Sequence, residues 1–395
     1  MTLVARVRHF FPLAGATGAL VAAMAGAVAA EPACVAPARW IVPGQGVQAA
    51  PTLLKTMARR QVVLLGEGHD IPEHHRWQLQ TIAALHAQRP DLVLGFEMFP
   101  RGVQPVLDRW VAGELSAAEL LRDTEWKRTW GFDAQMYLPI FHFARMNRIP
   151  MVALNIDPTL ARTISTTGFA ALSPEQREGV SQPAAALPAY EQFLFDSFAQ
   201  HPSDTDGATP SRDSARFQRF VETQLVWDRA MAERIAGALA ARPTDLIVAL
   251  MGTGHVMNGW GVPHQLDALG VRDISVLLPW EPENDCARLV PGYADAVFGL
   301  GPRDEPMTPR PRLGLWLEPV TGGVAIKDIE KGGLGERAGL RQGDVLVEVA
   351  GRATRMPVEV SEAVQRQAPG TWLPMKVQRD GRTLEIIAKF PPAAS

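Results

Sequence analysis

Two histidines, two glutamates and an asparagine supply the side chains from which a site could be built. They stand in four short stretches: Gly66-Glu67-Gly68-His69, Glu97, Asn155 and Gly252-Thr253-Gly254-His255. Imidazole and carboxylate suit a divalent Zn, Mn, Co or Fe ion, and two histidines with a glutamate make a familiar ligand shell. His69, Glu97 and His255 are therefore candidate metal ligands. Glu67, Glu97 and Asn155 are candidate catalytic groups if the site is hydrolytic, an acid serving as general base on a bound water and the amide orienting it. Each residue alone also has a plainer reading, as a histidine or acid satisfied by a neighbouring backbone group. Their shared position is what singles them out.

Each stretch closes an apolar run, over 62–65, 92–96, 151–154 and 246–250. Short, unbroken runs bounded by Gly or polar residues predict strands covered on both faces. In an open parallel α/β sheet the carboxyl ends of the strands share one edge, where sites are built. Residues far apart in sequence are thus expected to converge there. Glycines beside each histidine permit the tight turns that would aim the rings into one crevice.

Between these runs the spacing predicts helices over 72–88 and 102–112, a third opened by the Ser116-to-Glu119 capping signature, and a fourth ending before Pro150. A Pro/Ser/Asp-rich stretch, 172–212, is expected to form a helical excursion or lid, with an amphipathic piece over 190–198. A long helix over 217–239 follows, and a strand over 274–278 is expected to close the sheet. The fold class is α/β, a mainly parallel sheet flanked by helices and followed by a small β-rich domain.

The 395 residues are 47% hydrophobic and 21% charged, with a net charge of −3. Few basic runs and near-neutral charge leave no electrostatic footprint for nucleic acid. Arg6 and Arg8 precede an Ala/Gly-rich apolar core, 13–28, and small residues that suit cleavage near residue 30. Residues 1–30 read as a cleaved signal peptide, placing the protein in the periplasm or outside the cell. Glu31-Pro32-Ala33 before Cys34 matches a lipoprotein processing site poorly, which argues against a lipid anchor. The two cysteines, Cys34 and Cys286, either pair in that oxidising compartment or remain two thiols.

Four prolines and no apolar periodicity mark 301–311 as a linker after a first domain of 31–300. Residues 312–391 then carry "AGLRQGDVLVEVAG" and a hairpin expected to turn at Asp380-Gly381. This region resembles a PDZ domain of the bacterial periplasmic-protease type. The resemblance implies that Leu313, Gly314 and Leu315 form the loop receiving a peptide's terminal carboxylate, the peptide itself adding as a strand.

"VVLLGEGHD", "ALMGTGHV" and "WGFDAQMYLPIFHFARMNRIPMVALN" are similar to the superfamily that joins Tiki proteins, TraB and erythromycin esterases, and most of all to its ChaN haem-binding branch. That likeness spans roughly residues 50–280. It implies haem binding for bacterial iron uptake, with a tyrosine on the iron and a dimer able to enclose the haems. The wider superfamily implies the alternative, a metal-dependent peptidase or esterase using the His/Glu set. Among three tyrosines, Tyr137 is the first candidate for the iron and Tyr190 the second, with His69 and His255 as further cofactor-binding candidates. His74 and His75 are candidates for reaching a haem propionate. The expected partners are haem or another small ligand at the sheet edge, and a peptide or protein C-terminus at the PDZ domain.

Overall fold

The computed structural model describes residues 34–200, 211–302 and 311–392. The segment expected to be a signal peptide and most of the expected 301–311 linker lie outside the described residues. The chain divides into two compact units between Gly301 and Pro302.

The first unit is built on an eight-stranded sheet. Its strands are β1 (Trp40–Val42), β2 (Gly46–Gln48), β3 (Val62–Glu67), β4 (Leu92–Pro100), β5 (Met151–Asn155), β6 (Leu246–Gly252), β7 (Ile274–Trp280) and β8 (Ala296–Gly299), in the order β2-β1-β8-β7-β3-β6-β4-β5. From β8 to β5 every neighbouring pair is parallel. β1 and β2 add antiparallel at one end. The strand over 274–278 therefore does not close the sheet but lies inside it. The three strands beyond it are only three or four residues long, too short to leave a period in the sequence.

Alternate residues of the buried strands serve two cores. Val63 and Leu65 of β3 pack with Leu94, Phe96 and Leu250 against one set of helices. Val62 and Leu64 pack with Val93, Ile247 and Ala249 on the opposite face. The first face is covered by α1 (Ala50–Met57), α2 (Pro72–Gln88), α3 (Gln104–Ala112), α4 (Ala117–Asp123), α5 (Trp126–Thr129) and α6 (Ala134–Met146). Proline at the first turn of α2 costs no hydrogen bond there, and the Ser116–Glu119 capping box opens α4 as expected. On or beyond the second face lie α7 (Pro158–Thr167), α8 (Pro188–Gln200), the long α9 (Ala215–Ala241) and α10 (Gly261–Ala268). Cys34 and Cys286 form a disulfide, which ties the start of this unit to the segment after β7.

The second unit holds β9 (Leu315–Val320), β10 (Gly323–Ile329), α11 (Leu334–Arg337), β11 (Val345–Val349), β12 (Arg352–Ala353), α12 (Pro357–Gln365), β13 (Trp372–Arg379) and β14 (Arg382–Lys389). Its antiparallel sheet runs β14-β13-β11-β10-β9, with β12 on β11, so β9 is an edge strand. Asp380 and Gly381 both take positive φ, as a two-residue hairpin turn requires. Among the described residues no helix is long and apolar enough to cross a membrane.

Candidate functional site

β3, β6, β4 and β5 are consecutive in the sheet, so their carboxyl ends bring Glu67, Gly252, Glu97 and Asn155 to one edge. His69 and His255 follow β3 and β6. A Cβ built on Gly252 would meet His69 Cε1 at 3.0 Å, His69 Nε2 at 3.2 Å and His255 Cδ2 at 3.6 Å. A side chain there would press on the His69 ring and touch that of His255, so the two imidazoles converge on one spot.

Each ring is held from behind by an acid, and each acid by a tyrosine. His69 Nδ1–H donates to Glu67 Oε1 at 2.9 Å, and the Tyr137 hydroxyl donates to the same oxygen at 2.8 Å. His255 Nδ1–H donates to Asp228 Oδ1 at 2.6 Å, and Tyr190 OH donates to Asp228 Oδ2 at 2.8 Å. Glu67 Oε2 also accepts from Gln78 Nε2 at 2.9 Å, with His75 behind it at 3.6 Å. Glu97 Oε2 accepts from the Gly252 amide at 2.6 Å, and Oε1 lies 3.5 Å from His255 Nε2.

Burial alone would raise the Glu67 carboxyl, but His69, His75 and Gln78 outweigh it and hold the acid below its usual range. Burial alone would lower His69, yet Glu67 and Glu97 lift it above the usual imidazole value, against the opposing charge of His255. For His255 burial is again the largest influence and lowers it; the charges of Asp228 and Glu97 and the hydrogen bond to Asp228 reverse this and push it up to about 9.

A group protonated more tightly in the fold than in the unfolded chain stabilises the fold below its unfolded value, here 6.5. That contribution is lost as pH rises through about 9. Urea unfolding free energy is expected to fall across this window, and His255→Gln should flatten that part of the profile. An identical slope in the variant would refute the assignment.

The other residues expected at the site have partners of their own. Tyr137, expected on the iron, is fully buried, and its hydroxyl is spent on Glu67 and the His69 carbonyl. Burial and the Glu67 charge raise that phenol far above its usual value. Tyr190 is buried behind Asp228 in the same way, its phenol raised by burial and by Asp228. His69, Glu97 and His255 do not form a ligand shell: among the described residues no three His, Cys, Asp or Glu side chains are grouped to hold a metal ion. Each ring has turned one nitrogen to its own acid, and Glu97 is drawn to a backbone amide. β4 runs on past Glu97 to Pro100, but its pairing with β6 ends at Phe96, which leaves Glu97 at the sheet edge. Asn155 turns its side-chain oxygen to the amide of Ile156, at 2.8 Å. His74 accepts from the Gly68 amide at 2.7 Å and so braces the turn that carries His69, while His75 is buried beside Gln78.

Sequence reasoning missed Asp228 and Gln78, each lying within a long helix, and the aromatic walls. Trp130 meets the His69 ring edge-to-face at 4.6 Å, with Phe132 at 5.3 Å. Trp227 stands 6.3 Å from the His255 ring, and Phe193 lies against Gly254. Two oriented imidazoles thus stand at the sheet edge with aromatic rings on either side.

The family model described as "Haem-binding uptake, Tiki superfamily, ChaN" matches residues 53–266, more than half of the chain. The chain belongs to the ChaN haem-binding family. A PDZ family model matches 326–379, identifying the second unit of this ChaN-family protein. Among solved structures it is similar to the ChaN of Campylobacter jejuni, described as binding haem cofacially, at 18% identity and a TM-score of 0.52 over 66% of this chain and 95% of that one. At that identity the likeness bears on the fold. An erythromycin esterase mutant in its open conformation aligns at 15% identity and a TM-score of 0.38, over 61% of this chain and 77% of that one. Over 86 residues the ChaN-family chain is 33% identical to a probable periplasmic serine endoprotease, DegP-like, of Chlamydia trachomatis. This covers 19% of the chain and 17% of that protein, so the chain spans less than a fifth of that relative's length.

Proposed function

We propose that this sheet edge binds haem for bacterial iron or haem uptake and that His69 is the side chain turned to the iron. One observation carries this reading. Glu67 fixes the His69 ring through Nδ1, no hydrogen bond among the described residues engages Nε2, and 29% of the side chain stays exposed. An imidazole anchored by a carboxylate at its far nitrogen is a recurrent donor to metal centres, because the acid sets the tautomer and raises the ring's basicity. Trp130 and Phe132 supply apolar faces suited to a porphyrin. Tyr137 fits a positioning role better, since a phenol must lose its proton to hold ferric haem and both burial and Glu67 oppose that loss. Cofacial haem binding is described for the Campylobacter protein, and a homodimer of this chain would offer two such faces.

Export follows from residues 1–30 read as a cleaved signal peptide, and the Cys34–Cys286 disulfide suits an oxidising compartment. The PDZ domain would hold an extended peptide or a protein C-terminus against the β9 edge, with Leu313, Gly314 and Leu315 at the groove's end.

Haemin titrated into the mature chain (31–395) is expected to give a Soret band that saturates at a defined stoichiometry. Absence of any band at stoichiometric haemin would overturn the proposal. A protonated imidazole cannot donate to iron, so affinity should rise with pH until the raised titration of His69 is passed, then level off.

A further inference from the structure

We infer that the groove of the second unit selects an extended peptide that sets a lysine or arginine at its closed end, and that Glu330 determines this preference. The inference rests on the peptide-binding reading of the PDZ domain and names the ligand class. The groove, about 300 Å³, is lined by β9 on one side and α12 on the other. Leu315, Leu317, Val360 and Val364 give it apolar walls, enough to seat an aliphatic side chain of a strand added along β9.

The closed end differs in chemistry. Gly314 turns the loop with a φ of 71°. The Glu330 amide donates to the Gly314 carbonyl at 2.8 Å, which brings the acid side chain over the glycine. A Cβ built on Gly314 would meet Glu330 Oε2 at 2.7 Å and Glu330 Cβ at 2.8 Å, and its three nearest atoms all belong to Glu330. Glu330 lines the groove together with Leu313, Gly314 and Leu315, the loop that the PDZ resemblance assigns to a ligand's terminal carboxylate. Glu330 is exposed, and no hydrogen bond or ion pair to another described residue engages its carboxylate. Arg312 lines the same groove from the start of the loop, but it is not among the atoms closest to Gly314. Two like charges about 4 Å apart repel by roughly fivefold in binding even in water, and more where the groove excludes solvent. A free carboxylate is therefore disfavoured beside Gly314, and a cationic side chain is favoured by a comparable factor.

Fluorescence anisotropy on the full mature chain tests this with three labelled decapeptides of common apolar sequence, ending in valine with a free carboxylate, in valinamide and in lysinamide. The lysinamide peptide is expected to bind at least about fivefold tighter than the free acid. In Glu330→Gln the free acid should gain and the lysinamide lose by a similar factor, while Glu318→Gln, which removes one charge from β9, should leave the order intact. Tightest binding of the free acid, unchanged in Glu330→Gln, would overturn the inference and leave the peptide-binding reading standing. Failure of all three peptides to bind wild type would overturn that reading itself. Glu330 is exposed, so a melting curve matching wild type is expected for the variant.

Discussion

Haem binding by the His69→Ala variant is expected to be weaker than wild type by on the order of 100-fold or more, with the Soret maximum displaced. The ring is the one imidazole of the pair whose outer nitrogen has no partner among the described residues, whereas His255 Nε2 faces Glu97 at 3.5 Å. Added imidazole should restore part of the spectrum, because the alanine leaves the space of the lost ring. Glu67→Gln should cost about 10- to 100-fold, since the amide can accept from His69 but carries no charge to raise its basicity. Tyr137→Phe is the discriminating control. It removes only a hydroxyl that donates to Glu67 at 2.8 Å, so the Soret position should not move. Loss of the spectrum in Tyr137→Phe, with His69→Ala unaffected, would return the iron to the tyrosine and sink the assignment of His69.

The second large effect is on stability. Asp228 is fully buried and meets both the His255 ring, at 2.6 Å, and the Tyr190 hydroxyl, at 2.8 Å. Removing one partner of a buried charged pair costs about 3–5 kcal/mol, because the other charge is left without compensation. Asp228→Ala is therefore expected to lower the urea unfolding free energy by that amount at pH 7. Asp228→Asn should cost less, since the amide oxygen can still accept from the ring. A loss below about 1 kcal/mol in the alanine variant would show that the His255–Asp228–Tyr190 chain does not hold the sheet edge together.

A paired arrangement emerges at the sheet edge. Tyr137–Glu67–His69 on one side and Tyr190–Asp228–His255 on the other each aim an imidazole at Gly252. Satisfied polar chains of this kind are rigid in a low-dielectric surround, and rigidity is what a site needs to present a donor without reorganising. Glu97 lies between the two chains, accepting from the Gly252 amide.

How much of this could be read without coordinates differs from residue to residue. Strands β3, β4, β5 and β6 stand out because a strand buried on both faces needs an unbroken apolar run, and the edge follows from parallel order. The bounds of α2, the capping box before α4 and the Asp380-Gly381 turn are equally local, each set by a few neighbouring residues. Tyr137 was visible as a residue of interest, but not as the hydroxyl behind Glu67. Asp228 sits within a 27-residue helix, where nothing nearby marks one acid as buried. Glu330 belongs to an ordinary loop until β10 lays it over Gly314.

The amino-acid order by itself determined the α/β class, the two-unit organisation and the meeting of the GEGH and GTGH turns at one rim, since these rest on periodicity and turn chemistry within short windows. Only the tertiary structure decided which nitrogen of each histidine is occupied, which acids stand behind them, and that no three-residue metal shell forms among the described residues. Hydrogen-bond partners are chosen by distance and direction between segments as far apart as Glu67 and Tyr137, and no pattern within either segment carries that direction.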